Sequence, residues 1–151
     1  MRRDSRLSAV LHLLLHLREL DGPVTSEALG PLMNTNPVLI RRMLGGLRDA
    51  GIVSAEKGHG GGWALARPLD EVTLADVYRA LGSPQLFGIG PQRENPRCLV
   101  EQAVNRSLGK ALNDARELLL AELARTTVAA IARDVSQHHS HSQQKRGNVH
   151  A

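Results

Sequence analysis

Arg41, Arg42 and Arg48 stand just after the polar run Asn34-Thr35-Asn36 and the pair Pro37-Val38. If Ile40, Leu44 and Leu47 point into a core, a helix starting at Pro37 carries Val38, Arg41, Arg42, Gly45 and Arg48 on or beside its outward face. A guanidinium can give two parallel hydrogen bonds to a guanine edge, so Arg41 or Arg42 suits base recognition, while Arg48, further along, suits a phosphate. Thr35 and Asn36 lie at the helix N-terminus, where short polar side chains and free backbone N–H groups match phosphate oxygens. Arginines on a helix are by themselves more often a solvated face. A second basic group follows in Lys57 and His59, set among Gly58, Gly60, Gly61 and Gly62. Any tight turn recruits glycine, but four within five residues imply close backbone approach or mobility, which fits a tip facing phosphate. Arg2, Arg3 and Arg6 add cations at the N-terminus and are assigned to the same anionic partner.

Other reactive side chains are few. Cys98 is the one cysteine, so no intramolecular disulfide forms. Beside Arg97 in the first turn of a helix, its thiolate would be favoured and open to oxidants or electrophiles; the competing reading is a small buried apolar residue. Both stay open. His12 and His16 have the i, i+4 spacing that can hold one metal ion, but lie off the apolar stripe with no acidic or thiol partner nearby in sequence. They are read as exposed or interfacial histidines, and no metal site is assigned. His138, His139 and His141 belong to a polar tail that would bind metal without selectivity. Neither a phosphate-cradling motif, a nucleophile elbow nor a metal pair with a general base is present, so an enzyme is not expected and no cofactor is assigned.

The elements that must position these groups can be read from periodicity. Leu7, Val10, Leu11, Leu14 and Leu17 recur at helical spacing over residues 5–20, with Asp4 or Ser5 as cap, and Asp21-Gly22-Pro23 ends that helix. A short second helix runs over 25–33, capped by Thr25 or Ser26, and the third over 37–50 stops at Gly51. Strands at 52–55 and 63–66 form a hairpin around the glycine-rich tip, and a fourth helix follows Thr73 to residue 81. This order is that of a mainly α, winged helix-turn-helix domain with a two-stranded β wing, whose third helix enters the major groove.

At this point the chain resembles the Rrf2 family of bacterial regulators, which includes the iron-sulfur cluster regulator, the nitric-oxide-sensitive repressor and the cysteine-metabolism repressor. The resemblance rests on Asn34-Thr35-Asn36-Pro37-Val38-Leu39-Ile40-Arg41-Arg42, on Leu47-Arg48-Asp49-Ala50-Gly51-Ile52-Val53, and on the wing Lys57-Gly58-His59-Gly60-Gly61-Gly62-Trp63 through Pro68. Val72-Thr73-Leu74-Ala75-Asp76-Val77-Tyr78-Arg79-Ala80-Leu81 and Thr126-Thr127-Val128-Ala129-Ala130-Ile131 continue it. It implies a homodimer on a pseudo-palindromic double-stranded DNA operator, usually repressing a promoter. Cluster-carrying members place three cysteines ahead of and at the start of the dimerisation helix, because thiolates hold such clusters. Here Cys98 resembles the last of the three and the others are missing, which points to a single-cysteine branch with Cys98 as candidate sensor.

The expected organisation is a DNA-binding domain over 1–81, a linker or sensor loop over 82–97, a dimerisation helix over 98–135 and a disordered tail over 136–151. In the dimerisation helix Leu99, Ala103, Leu108, Leu112, Leu119, Leu123, Val128 and Ile131 form one stripe about 55 Å long that needs a partner chain. Net charge is +4, and the positive excess sits in the first 68 residues, where an anionic partner would bind. The N-terminal apolar run is broken by His12, His16 and Arg18, so neither a signal peptide nor a membrane span is expected, and a cytoplasmic site follows. Two alternatives remain: an adaptor that keeps the winged fold without DNA function, and an iron-sulfur regulator drawing ligands from both subunits.

Overall fold

A computed structural model describes residues 4–147, with side chains as far as His138. Arg2 and Arg3 lie outside the described residues. Helix α1 (Arg6–Glu19) starts where the Asp4 carboxylate accepts the Arg6 N–H at 3.0 Å, and buries Val10, Leu13, Leu14 and Leu17. Of the two caps weighed for it, Asp4 takes the hydrogen bond and Ser5 none. In α2 (Ser26–Leu32) the cap is Thr25, whose hydroxyl accepts from Ala28 N–H, which frees Ser26 for the core. Helix α3 (Pro37–Asp49) opens with Asn36 Oδ1 accepting the Leu39 N–H at 2.9 Å and Pro37 in the first position, where its missing N–H costs nothing. Gly51, at φ 72°, ends it in the left-handed conformation that releases the chain into β1 (Val53–Glu56).

Strand β1 pairs antiparallel with β2 (Gly62–Leu65), Val53 opposite Leu65 and Glu56 opposite Gly62. Both strands are one residue out of step with their sequence-based bounds. Trp63 ties this wing to the helices in two ways. Its backbone exchanges hydrogen bonds with Val24 at 2.8 and 2.9 Å, and its indole N–H donates to the buried Ser26 hydroxyl at 2.9 Å. The chain ahead of α2 therefore acts as a third strand at one point, and the wing cannot swing independently of the helix-turn-helix.

Helix α4 (Leu74–Ala80) crosses α3 closely, because a Cβ on Gly46 would come 2.6 Å from the Ala80 carbonyl oxygen. It begins with a capping box: Thr73 Oγ1 accepts the Asp76 N–H at 3.1 Å and Asp76 Oδ2 accepts the Thr73 N–H at 2.9 Å. The Thr73 N–H, more than any other neighbour, holds the Asp76 carboxyl below its usual value of 3.8. A depressed folded value means stability that is present above 3.8 and lost as pH falls through the folded value. Thr73→Ala and Asp76→Ala are each expected to cost about 1 kcal/mol at neutral pH in urea unfolding. For the Asp76 variant the gap from the parent should narrow below pH 3.8; a gap constant with pH would argue against the ionised box.

The C-terminal half departs from the expected single helix. Helix α5 (Leu99–Arg125) ends at Thr126-Thr127, and α6 (Val128–Gly147) begins there. The two threonines are extended and pair with the segment ahead of α4: Leu74 N–H donates to Thr126 O at 2.9 Å, and Val128 N–H to Val72 O at 2.8 Å. Val128, Ala129 and Ala132 are then buried in the domain's own core, where α6 packs on α1. β-branched threonines favour this extended link over helix continuation. Val128 and Ile131 thus leave the stripe assigned to a partner. The helix also continues to Gly147, through residues expected to be disordered; once nucleated over 128–135, a run without proline propagates at little cost.

Candidate nucleic-acid interface

Helix α3 buries Ile40, Met43, Leu44 and Leu47, which turns Val38, Arg42 and Gly45 directly away from the core and sets Arg41 and Arg48 to one flank. Val38 is 61% exposed, an apolar side chain that the described residues leave largely in water. Gly45 has open space where a Cβ would be, so another surface can approach the helix backbone there. A glycine within a helix costs about 1 kcal/mol relative to alanine, a cost that packing inside this chain does not explain at Gly45.

The three arginines are not equivalent. Arg41 pairs with Glu27 of α2, and Arg48 with its neighbour Asp49 at 3.0 Å. Arg42 is exposed and forms no ion pair among the described residues. The polar turn is used largely for structure: Asn36 caps α3, Thr35 is half-buried with its N–H on the Gly30 carbonyl at 3.0 Å, and Asn34 turns the chain at φ 48°. Such φ values suit asparagine, whose short side chain tolerates the left-handed region. Arg6 is paired with Asp4 at 2.6 Å, and that pair holds the Asp4 carboxyl at about 2.

In the wing, Lys57, His59 and Gly60 are exposed at the tip. Gly58 and Gly60 have φ of 92° and 77° with open space around them, so they serve the turn itself. Gly61 differs, because a Cβ there would lie 2.4 Å from the Glu56 carbonyl oxygen, and Gly62 is pressed against the Val24 backbone in the same manner. Local packing therefore accounts for two of the four wing glycines. The Trp63–Ser26 and Trp63–Val24 links, which set the wing against the helices, were missed by the sequence reading; a lone Trp after a glycine run carried no signal of its partner.

The linker between α4 and α5 is held to its neighbours by hydrogen bonds. Tyr78 donates to Pro84 O at 2.7 Å, Asn105 to Gln92 O at 2.6 Å and Gln102 to Pro96 O at 2.9 Å, while Glu101 accepts from Asn95 N–H at 3.0 Å. Cys98, half-buried, is the residue at which this strap becomes helix; its N–H donates to Asn95 O at 2.9 Å. On α1, the rings of His12 and His16 lie with centroids 4.6 Å apart, tilted by 39°, and burial first, then the His12 neighbour, keep the His16 imidazole below its usual value.

Residues 3–134 match the family model described as "Rrf2: Iron-dependent Transcriptional regulator". The chain belongs to the Rrf2 family. It is 30% identical over 135 residues to YwnA of Bacillus subtilis (strain 168), named as an HTH-type transcriptional regulator, covering 89% of this chain and 97% of that one. Among solved structures, a protein from Lactobacillus plantarum named as a transcriptional regulator superposes with a TM-score of 0.74 at 23% identity, covering 95% and 98% of the two chains. The oxidized form of Staphylococcus aureus CymR gives 0.61 at 19% identity, covering 87% and 96%. The protein is thus a DNA-binding transcription regulator with the winged fold expected, in a family of regulators rather than enzymes. Among the described residues no helix is long and apolar enough to cross a membrane.

Proposed function

We propose that this Rrf2 protein is a homodimeric, cytoplasmic repressor that reads a pseudo-palindromic operator with α3 and grips the flanking backbone with its wing. The observation that carries the reading is the outward face of α3, where exposed Val38, open Gly45 and Arg42, which forms no ion pair among the described residues, lie together, with Lys57 and His59 exposed at the wing tip. Arg42 is the base reader, Val38 suits a thymine methyl group, and Arg41 and Arg48 serve as phosphate contacts that exchange their carboxylate partners for the backbone. Arg2, Arg3, Arg6, Thr35, Asn36, Pro37, Gly60 and Gly61 complete the proposed contact set. Filter binding of promoter DNA at two salt concentrations tests it: specific binding with a steep salt dependence is expected, and its absence would favour an adaptor.

The proposed dimerisation rests on α5, in which no residue is fully buried in the single chain. Leu108, Leu112, Leu120 and Leu123 are half-covered by their own chain, whereas Leu99, Val100, Val104 and Leu118 are 56–78% exposed on a helix about 40 Å long. A second α5 supplies the cover.

Regulation is placed at Cys98, where the strap from the DNA-binding domain meets α5. A group added to the sulfur would crowd that junction, change the spacing of the two DNA-binding domains, and shift the population from the binding-competent arrangement. A neighbour of the same fold, S. aureus CymR, is described in an oxidized form. Peroxide is expected to weaken operator binding by the native protein, while Cys98→Ser binds equally well and no longer responds; a Cys98→Ser variant that still responds would sink the idea. The family model's iron-dependent description favours a second reading, a cluster shared between subunits, which visible absorbance of the purified protein would reveal.

A further inference from the structure

The rings of His12 and His16 converge on the face of α1 turned away from its buried residues, with their Nε2 atoms 3.0 Å apart. At that separation the two Nε2 atoms share one proton, and both lie on the same side of α1 within reach of one ion. We propose that His12 and His16 form a two-imidazole chelate for a divalent transition metal ion that prefers cis ligands near right angles, copper(II) or nickel(II).

Two imidazoles that already approach to 3.0 Å need only small ring rotations to bind one ion at about 2.0–2.1 Å, and divalent affinity for such nitrogen sites peaks at copper(II). Tetragonal N,O coordination belongs to copper(II) and nickel(II), and imidazole is a good ligand for both. The i, i+4 helical spacing brings the two rings together in advance, so little ordering entropy is lost when the donor ring takes the Nδ1–H tautomer and both Nε2 lone pairs turn to the ion. Among the described residues no third His, Cys, Asp or Glu joins the pair. Water, or an exchangeable small ligand, therefore takes the remaining positions, and the site is one for reversible metal binding. Because the ion bridges two successive turns of α1, which packs on α3, α4, α6 and β2, its occupancy stabilises the helix that underlies the whole DNA-binding domain.

The test uses the full chain with the five other histidines replaced, His59, His138, His139, His141 and His150→Asn, and Cys98→Ser to remove the thiol. Copper(II) is titrated into this protein and into versions that also carry His12→Gln or His16→Gln. Expected are one copper(II) per chain, a paramagnetic resonance signal split by two nitrogens, and affinity at least about tenfold weaker when either histidine is changed. Copper(II) should raise the melting temperature of the two-histidine protein and leave that of the single-histidine versions unmoved. Metal-free melting of all three reports that they are folded. Equal copper affinity in the Gln versions, a signal from one nitrogen, or tighter binding of zinc(II) than of copper(II) would each overturn the proposal.

Discussion

Arg42→Ala is expected to abolish specific operator binding while the protein stays folded and dimeric, and Arg41→Ala to weaken binding much less. A bidentate guanidinium–guanine contact contributes about 1–3 kcal/mol of discrimination, roughly 5- to 150-fold, and a two-fold operator counts it once per half-site. Loss from both half-sites compounds these factors. Arg41 starts from its ion pair with Glu27, so its transfer to DNA first gives up a partner that Arg42 does not have. The pair is exposed and worth little by itself, but it holds the guanidinium to the α2 side, away from the centre of the outward face. Gel-shift titrations on specific and scrambled DNA make the comparison. If Arg42→Ala binds the operator like the parent, or if Arg41→Ala carries the larger loss, the assignment of the base reader is wrong.

The second large effect separates the two sides of α5. Val104→Glu together with Leu118→Glu should produce folded monomers, whereas Leu112→Glu should lower the melting temperature before it affects assembly. Val104 and Leu118 are 56% and 68% exposed in the single chain, so burying what remains exposed yields about 1–2 kcal/mol each. Two-fold symmetry counts both residues twice, so roughly 4–7 kcal/mol of association is removed, and carboxylates then face carboxylates. Leu112 instead lines a cavity of about 360 Å³ with Tyr78, Leu86 and Phe87 of its own chain, where a charge would be buried against apolar neighbours. Sedimentation velocity and thermal melting read the two outcomes. A folded dimer from the Val104/Leu118 variant would mean that α5 pairs through another face. Monomers should also bind DNA far more weakly, since half-sites about 34 Å apart are engaged together only by linked subunits.

The amino-acid sequence was sufficient for the local elements because their causes are local. The helical spacing of Leu7, Val10, Leu11, Leu14 and Leu17, the caps at Thr25 and Thr73, and the stop at Gly51 each act within a turn or two of the chain. Even so, Leu13 takes the fully buried place read for Leu11, and Asn36, read as a phosphate contact, is also a cap. The order of those elements, with the glycine-rich wing, was enough to indicate the family. What tertiary structure alone decided are the contacts between residues far apart in sequence. Which arginine is left unpaired depends on Glu27, 14 residues before Arg41, and the seating of the wing depends on Ser26, 37 residues before Trp63. The C-terminal stripe shows the same limit: Leu112, Leu119 and Val128 are read from the sequence as one apolar stripe, but the pattern cannot say what covers each of them. Leu112 is half-covered beside the linker, Val128 is buried in the domain's core, and Leu119 stays 38% exposed. A hydrophobic pattern records that a side chain must leave water, while the extended pairing of Thr126-Thr127 with the segment before α4 determines where it goes.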